Sequence, residues 1–263
     1  IIKSMYCCYL LYKYFKNKKA TIISFQANVS AILVAKVFGY KIIIRSNQSP
    51  TFYAKNFLKR KFMRFFFKRA DKVIVNSKDF QNEFKKYFNL NSIVIYNLFE
   101  KPKIINKLSK KPIKQNFFKN SKKIINILSI GRLVAQKDHI TILKALNLIK
   151  NKKKYKLIII GKGVDYIKLV SFIKKKKLSK YVKILNYKKN VYPYYLKADA
   201  FILSSLYEGL PNTLIEAVSL GVPIISSNCK TGPKEILKNG KYGKLFKVQD
   251  YKKLSSLITK IKK

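Results

Sequence analysis

"AFILSSLYEGLPNTLIEAVSLGVPIISS", residues 200–227, decides the fold. The run Ala200–Leu203 is apolar on consecutive positions, the pattern of a strand covered on both faces rather than one. A turn follows at Glu208, Gly209, Leu210 and Pro211. Then Leu214, Ala217 and Val218 recur with helical spacing, and Gly221 and Pro223 stop the helix in the usual order. "VPIISS" (222–227) is a second continuous apolar run. Strand, helix and strand in one stretch is the unit of a parallel α/β sheet.

The same alternation continues outward. Candidate strands precede it at 125–131, 156–161 and 182–185, and earlier still at 21–25, 41–45, 72–76 and 92–97. Helix-like segments such as "ITILKALNLIK" (140–150) and "YIKLVSFIKKK" (166–176) lie between them. Between 99 and 122 the pattern lapses into prolines and lysines without a period, as in a linker. Two domains are therefore expected, residues 1–110 and 111–263, each a Rossmann-like parallel sheet with helices. The stretch 226–246 reads as loop.

The charge is extreme: 58 Lys and Arg against 11 Asp and Glu, a formal net charge of +47. Such a surface attracts nucleic acid, anionic lipid or phosphorylated ligands without choosing among them. The cations help to choose. Arg45, Arg60, Arg64, Arg69 and Arg132 are the only arginines, whereas proteins that read base edges favour the planar arginine fork. No specific nucleic-acid partner is expected. Cys7, Cys8 and Cys229 form neither a disulfide framework nor a zinc spacing, which fits a reducing cytoplasm. No apolar run reaches the roughly 20 residues of a membrane span. In "KNFLKRKFMRFFFKRADK" (55–72), Phe62, Phe65 and Phe66 interleave with basic residues. A helix there either rests on anionic lipid or packs on its own sheet.

Three strand ends carry groups suited to an anion and to hydroxyls. In "ILSIGRLVAQKDHITIL" (127–143) a strand ends at Gly131, and Arg132 and Lys137 precede a helix near Asp138. Ligands of open α/β sheets sit beyond the carboxyl ends of strands, where helix starts favour anions. In "IIIGKGVDYIKL" (158–169), Gly161 and Gly163 let backbone approach either a ligand or the next element. In the opening stretch, Thr213 and Glu216 match the capping-box pattern Thr-x-x-Glu, so Glu216 is either a helix cap or a ligand group. Glu208 has no capping role and is placed to accept hydrogen bonds from sugar hydroxyls. No Asp-x-Asp pair is present to clamp a metal-bound diphosphate.

Together, "GRLVAQKD", "IIGKG", "ADAFILSSLYEGLPNTLIEAVSLGVPIISSN" and "GPKEI" resemble, in their order, the retaining glycosyltransferases of family 4, the group 1 transferases. "RADKVIVNSKD" and "VIYN" resemble the end of that family's N-terminal domain. The resemblance implies a GT-B fold, two Rossmann-like domains facing a cleft. It implies metal-independent transfer of a hexose or N-acetylhexosamine from a nucleotide-sugar, expected to be a UDP-sugar, with retention and no further cofactor. The acceptor implied is a lipid-linked or lipopolysaccharide glycan, and the location is the cytoplasmic face of the inner membrane, peripheral to its anionic surface. Catalysis would fall to Arg132, Lys137 and Glu208, and donor binding to Gly131, Gly161, Gly209, Leu210, Pro211, Asn212 and Glu216. Of these, Glu216 would take the ribose hydroxyls. The family's opening strand and glycine-rich loop have no counterpart before Ile1, so the N-terminal domain is expected to be incomplete. Gln26 and Asn47 stand where the family often has histidines, and Lys162 where it often has an acid. An inactive relative retaining the donor half is the competing expectation.

Overall fold

The structure, a computed structural model, describes residues 2–16, 20–25, 28–47, 49–51, 56–100, 102–113, 116–119, 121 and 123–262. Gln26 lies outside them. The chain divides into two compact units, Ile1–Asn97 and Leu98–Lys263. The segment from 98 to 110, assigned to the first domain on sequence, therefore sits in the second unit. Its helix packs there, with the Asn190 amide donating to the Leu108 carbonyl at 2.9 Å.

In the first unit, helix α1 (Ile2–Phe15) leads to strands β1 (Thr21–Ser24), β2 (Lys41–Ser46), β3 (Lys72–Val75) and β4 (Ile93–Val94). Helices α2 (Asn28–Val37), α3 (Phe57–Phe67) and α4 (Lys78–Phe88) connect them. The strands form a parallel sheet in simple order β1-β2-β3-β4. Its core joins Ile22, Ile42, Ile44, Val73 and Val75 to Ala31, Ile32, Met63, Phe67, Phe80, Phe84 and Phe88. Burial alternates along β1, β2 and β3, and Ile23 is 57% exposed. Coverage on both faces, expected from the continuous apolar runs, is thus not found for these strands among the described residues. Ile and Val here occupy both the packed and the open face, so composition hides the alternation.

In the second unit, α5 (Pro102–Ser109) precedes strands β5 (Ile125–Ile130), β6 (Tyr155–Ile160), β7 (Val182–Leu185), β8 (Ala200–Leu203), β9 (Ile224–Ser227) and β10 (Lys244–Phe246). Helices α6 (His139–Leu148), α7 (Tyr166–Lys175), α8 (Tyr192–Leu196), α9 (Asn212–Ser219), α10 (Pro233–Ile236) and α11 (Tyr251–Thr259) alternate with them. All pairings are parallel, in the order β10-β9-β8-β5-β6-β7. Here both faces are covered. One core joins Ile127, Leu157, Ile159 and Ile202 to Ile142, Leu146, Leu169, Ile173 and Leu254. The other joins Leu128, Ile158, Phe201 and Leu203 to Tyr195, Leu214 and Ala217. Successive residues of one strand, Ile127 and Leu128, enter opposite cores, which is why the strand reads as an unbroken apolar run.

Strand β10 corrects the reading of 226–246 as loop. Lys244 pairs beside Ile225 and Phe246 beside Ser227. Three residues between lysines and glycines carry too little periodicity to announce a strand; the edge of β9 supplies the pairing partner.

Candidate active site

The strand order fixes where a ligand sits. The chain runs β5, β6, β7 outward in one direction, then returns to place β8 on the other side of β5 and continues to β9 and β10. Consecutive crossovers therefore leave β5 and β8 in opposite directions, and the carboxyl ends at such a reversal are where open α/β sheets bind ligands. The loops at that point are 131–138 and 204–211, which carry Gly131, Arg132 and Lys137 on one side and Glu208, Gly209, Leu210 and Pro211 on the other.

Several bonds lace these loops into one body. The Leu206 amide donates to the Gln136 carbonyl at 2.8 Å, and the Gln136 side-chain amide to the Tyr207 carbonyl at 2.9 Å. The Ser204 hydroxyl lies 2.9 Å from the carbonyls of both Lys137 and Asp138. Lys137 Nζ and Glu208 Oε1 form an ion pair at 2.5 Å, both side chains largely buried. The Ser205 hydroxyl donates to the same Oε1 at 2.5 Å. Glu208 Oε2 has no hydrogen-bond partner among the described residues. An ammonium carries three donors, so Lys137 can hold Glu208 and still present N–H to an anion. Arg132 is exposed, its Nη2 donating to Gln136 Oε1 at 3.2 Å, which anchors it to the same lacing.

His139 starts α6 directly beneath this grip, 4% exposed. Burial, and then the charge of Lys137, push its pKa down to about 4, so it is neutral at physiological pH and adds no charge. Its Nδ1 lies 3.3 Å from Ser129 Oγ, and Nε2 has no partner among the described residues. Asp138, the N-cap of α6, accepts from the Thr141 hydroxyl at 2.7 Å, and burial raises its pKa.

The glycines resolve an open choice. A Cβ on Gly161 would lie 1.9 Å from the Gly131 carbonyl oxygen, and one on Gly163 2.2 Å from that of Leu133. The Leu133 amide donates to Lys162 O, and the Asp165 amide to Leu133 O. Gly161 and Gly163 thus admit the next element, the loop bearing Arg132, at closest approach. Gly232 does the same for the Glu208 turn: its φ is +88°, and a Cβ would lie 2.3 Å from the Gly209 carbonyl. Thr231 donates its hydroxyl to the Glu208 carbonyl, and Ser227 to that of Ser205. Ser205 and Thr231 were not singled out on sequence, and Gly232 only as the start of "GPKEI". No spacing marks them, because the contacts join separate strand ends.

The expected capping box on α9 is not formed. Pro211 is the N-cap and Asn212 the first helical residue, so Thr213 lies inside the first turn and no side chain caps the helix. Placing the N-cap two residues before Thr213 removes the N-cap-to-N3 relation that a capping box needs. Thr213 Oγ1 is buried without a partner among the described residues. Glu216 instead accepts from the Tyr195 hydroxyl at 2.9 Å. It stands apart from the Lys137–Glu208 pair, on the helix whose N-terminus follows the Glu208 turn. Asn212 is exposed at that N-terminus, while Leu210 and Pro211 are buried in the turn.

Comparison with known proteins bears on the family and the fold. Residues 109–263 match the family model described as "Glycosyl transferases group 1". An uncharacterized glycosyltransferase of Methanocaldococcus jannaschii is 38% identical over 231 residues, 81% of this chain and 56% of the relative. The N-acetylgalactosamine-N,N'-diacetylbacillosaminyl-diphospho-undecaprenol 4-alpha-N-acetylgalactosaminyltransferase of Campylobacter jejuni is 29% identical, over 83% of this chain and 60% of its own length. The chain thus spans little more than half the length of these relatives. Among solved structures, Anabaena HepE in complex with UDP-glucose superposes with a TM-score of 0.76 at 20% identity, over 97% of this chain and 71% of that one. The lipopolysaccharide outer core galactosyltransferase WaaB superposes at 0.72 with 21% identity, over 99% and 71%. Both likenesses are of fold: two parallel-sheet α/β units, as in GT-B glycosyltransferases.

Proposed function

This chain belongs to the glycosyl transferases group 1, and from that premise we propose that it binds a nucleotide-sugar, with a UDP-sugar as donor, and serves metal-independent, retaining transfer to a lipid-linked or lipopolysaccharide glycan. The observation that carries the reading is the strand-order reversal between β5 and β8, where Lys137, anchored by Glu208, and Arg132 share the loop that follows β5.

In this reading Arg132 and Lys137 take the diphosphate. They stabilise the charge that develops as the bond from the anomeric carbon to the diphosphate oxygen breaks. The acceptor oxygen forms the new bond on the same face, and its proton passes to the departing phosphate oxygen, so no protein nucleophile is needed. Two fixed cations supply the positive charge that a divalent metal would otherwise bring. Glu208 orients Lys137 through Oε1 and offers Oε2 to the donor sugar. Glu216 accepts from the ribose hydroxyls, and the N-terminus of α9 adds its partial positive charge. The complexes of HepE with UDP and UDP-glucose support the choice of donor. Titration of UDP-glucose by calorimetry tests it: Arg132→Ala and Glu216→Ala each weaken binding by about tenfold or more. Unchanged affinity in both refutes the donor site.

A peripheral position on an anionic membrane is the second part of the proposal. Helix α3 buries Met63 and Phe67 in its own core, so the packing alternative holds for one face. The opposite face leaves Phe57, Leu58, Phe62 and Phe65 more than half exposed, beside Arg60, Lys61 and Arg64. The Arg69 guanidinium stacks 3.3 Å from the Phe65 ring centre. Apolar tips among cations suit the headgroup boundary. Among the described residues no helix is long and apolar enough to cross a membrane. Sedimentation with phosphatidylglycerol vesicles, lost in Phe62→Ser/Phe65→Ser and absent with phosphatidylcholine, is the expected result. Equal pelleting of the variant would sink this part.

A further inference from the structure

We infer that Tyr195 is a positioning residue for Glu216: its buried hydroxyl fixes one carboxylate oxygen and thereby aims the other at the ribose of the bound nucleotide. The inference rests on the reading of Glu216 as the ribose acceptor.

Tyr195 is fully buried, with its ring 5.4 Å from that of Phe201 in β8. Its position is therefore set by the sheet. The hydroxyl lies 2.9 Å from Glu216 Oε2 and 2.9 Å from the Thr213 carbonyl oxygen. A buried hydroxyl must find a partner, and the Thr213 carbonyl alone would satisfy it. The single hydroxyl proton is shared between these two acceptors, and an ionised carboxylate is the stronger of them, so the contact with Glu216 acts on the carboxylate. Glu216 Oε1 has no hydrogen-bond partner among the described residues. A carboxylate on the first turns of a short helix has free χ rotation unless held. Tyr195 ties this one, across 21 residues of sequence, to α8, which packs on Phe201 of β8.

The same bond acts on protonation. Burial raises the pKa of Glu216, and the Tyr195 hydrogen bond opposes that rise. The ionisable groups facing it are Tyr195 and Tyr192 from α8. The adjoining α10 carries Lys234 and Glu235, neither of which perturbs Glu216. The sign follows directly. A carboxyl with a raised pKa loses its negative charge at a higher pH than an exposed one, and a protonated carboxyl is a weaker acceptor for ribose hydroxyls. Removing the Tyr195 hydroxyl raises the pKa further, so nucleotide binding fails at a higher pH.

The test measures UDP-glucose affinity between about pH 5 and 8. The sugar diphosphate is preferred to UDP because its phosphates carry no proton that titrates in this range. Three proteins are compared: the wild-type chain, Tyr195→Phe and Glu216→Gln. Phenylalanine keeps the ring. The expected result is an acid limb displaced upward by roughly one pH unit in Tyr195→Phe. Affinity falls below that of the wild type on the acid side and recovers at the alkaline end. A pH-independent loss, or no loss, overturns the positioning role while Glu216→Gln still weakens binding. If Glu216→Gln binds as wild type, or UDP-glucose does not bind at all, the ribose assignment itself fails. Should Tyr195→Phe not fold, carbon-13 titration of the wild-type Glu216 carboxyl decides. Its pKa falls when UDP-glucose is added if the ribose donates to it, and an unmoved pKa overturns the inference.

Discussion

Replacing Lys137 by methionine lowers turnover by about 100- to 1,000-fold, the usual cost of removing one fixed donor from a developing oxyanion. The loss falls mainly on kcat, because the diphosphate gains charge as it leaves and the ground state needs the cation less. A second effect is superimposed. Lys137 and Glu208 are paired at 2.5 Å with side chains 14% and 7% exposed. Removing the cation leaves a buried carboxylate with only Ser205 as partner, at a cost of about 3 kcal/mol in stability. The two effects separate in the double variant. Lys137→Met/Glu208→Gln replaces the ion pair by neutral groups of similar size, so urea midpoints recover most of the loss while turnover does not. Steady-state kinetics with a UDP-sugar donor and urea denaturation measure both. Turnover within a factor of a few of wild type in Lys137→Met would remove Lys137 from the chemistry and leave it a structural partner of Glu208.

What the sequence made legible follows from burial. Strands β5 to β9 stand close to where the apolar runs place them, since two-sided coverage makes most of each strand apolar. In the first unit β4 shrinks to Ile93 and Val94 from an expected six residues, and the sheet alternates although its residues do not. At the site, the strand ends were legible and the partnerships were not. Glu208 and Lys137 lie 71 positions apart, and only the return of β8 to the flank of β5 brings them together. Glu216 was ambiguous for a different reason: a two-residue shift of the helix start decides whether it can cap, and such boundaries are the least determined feature of a helix. Both units also reuse one device that sequence alone did not connect. Asp71, before β3, accepts from the Ile42 amide at 2.7 Å, and Asp199, before β8, from the Asn126 amide at 2.7 Å. The Asp71 and Asp199 amides donate back to Ile42 O and Asn126 O. Each Ala-Asp pair thus clamps the entry of its strand to the neighbouring one, which explains why "RADKVIVNS" and "KADAFILSS" look alike.

Gly161→Ala is expected to destabilise the second unit by about 3 kcal/mol or more, and to abolish UDP-glucose binding with it. The added Cβ would lie 1.9 Å from the Gly131 carbonyl oxygen and 3.0 Å from its carbon. Neither backbone segment has room to yield. The Gly131 amide is bonded to Ile160 O and the Gly161 amide to Leu185 O, each at 3.0 Å, so retreat breaks the ends of the β5–β6 or β6–β7 pairing. The loop displaced is the one bearing Arg132 and Lys137, which couples the packing defect to the proposed diphosphate site. Gly221→Ala separates this from the ordinary cost of losing a glycine. Gly221 has φ +67° and nothing within 4 Å of its would-be Cβ. It pays for backbone conformation alone, about 1 kcal/mol, and leaves the crevice intact. Urea unfolding of the two variants, read with UDP-glucose affinity, distinguishes the cases. Equal, small losses in both would mean that the Gly131–Gly161 contact relaxes freely, and that Gly161 does not hold the loop bearing Arg132 and Lys137 in place.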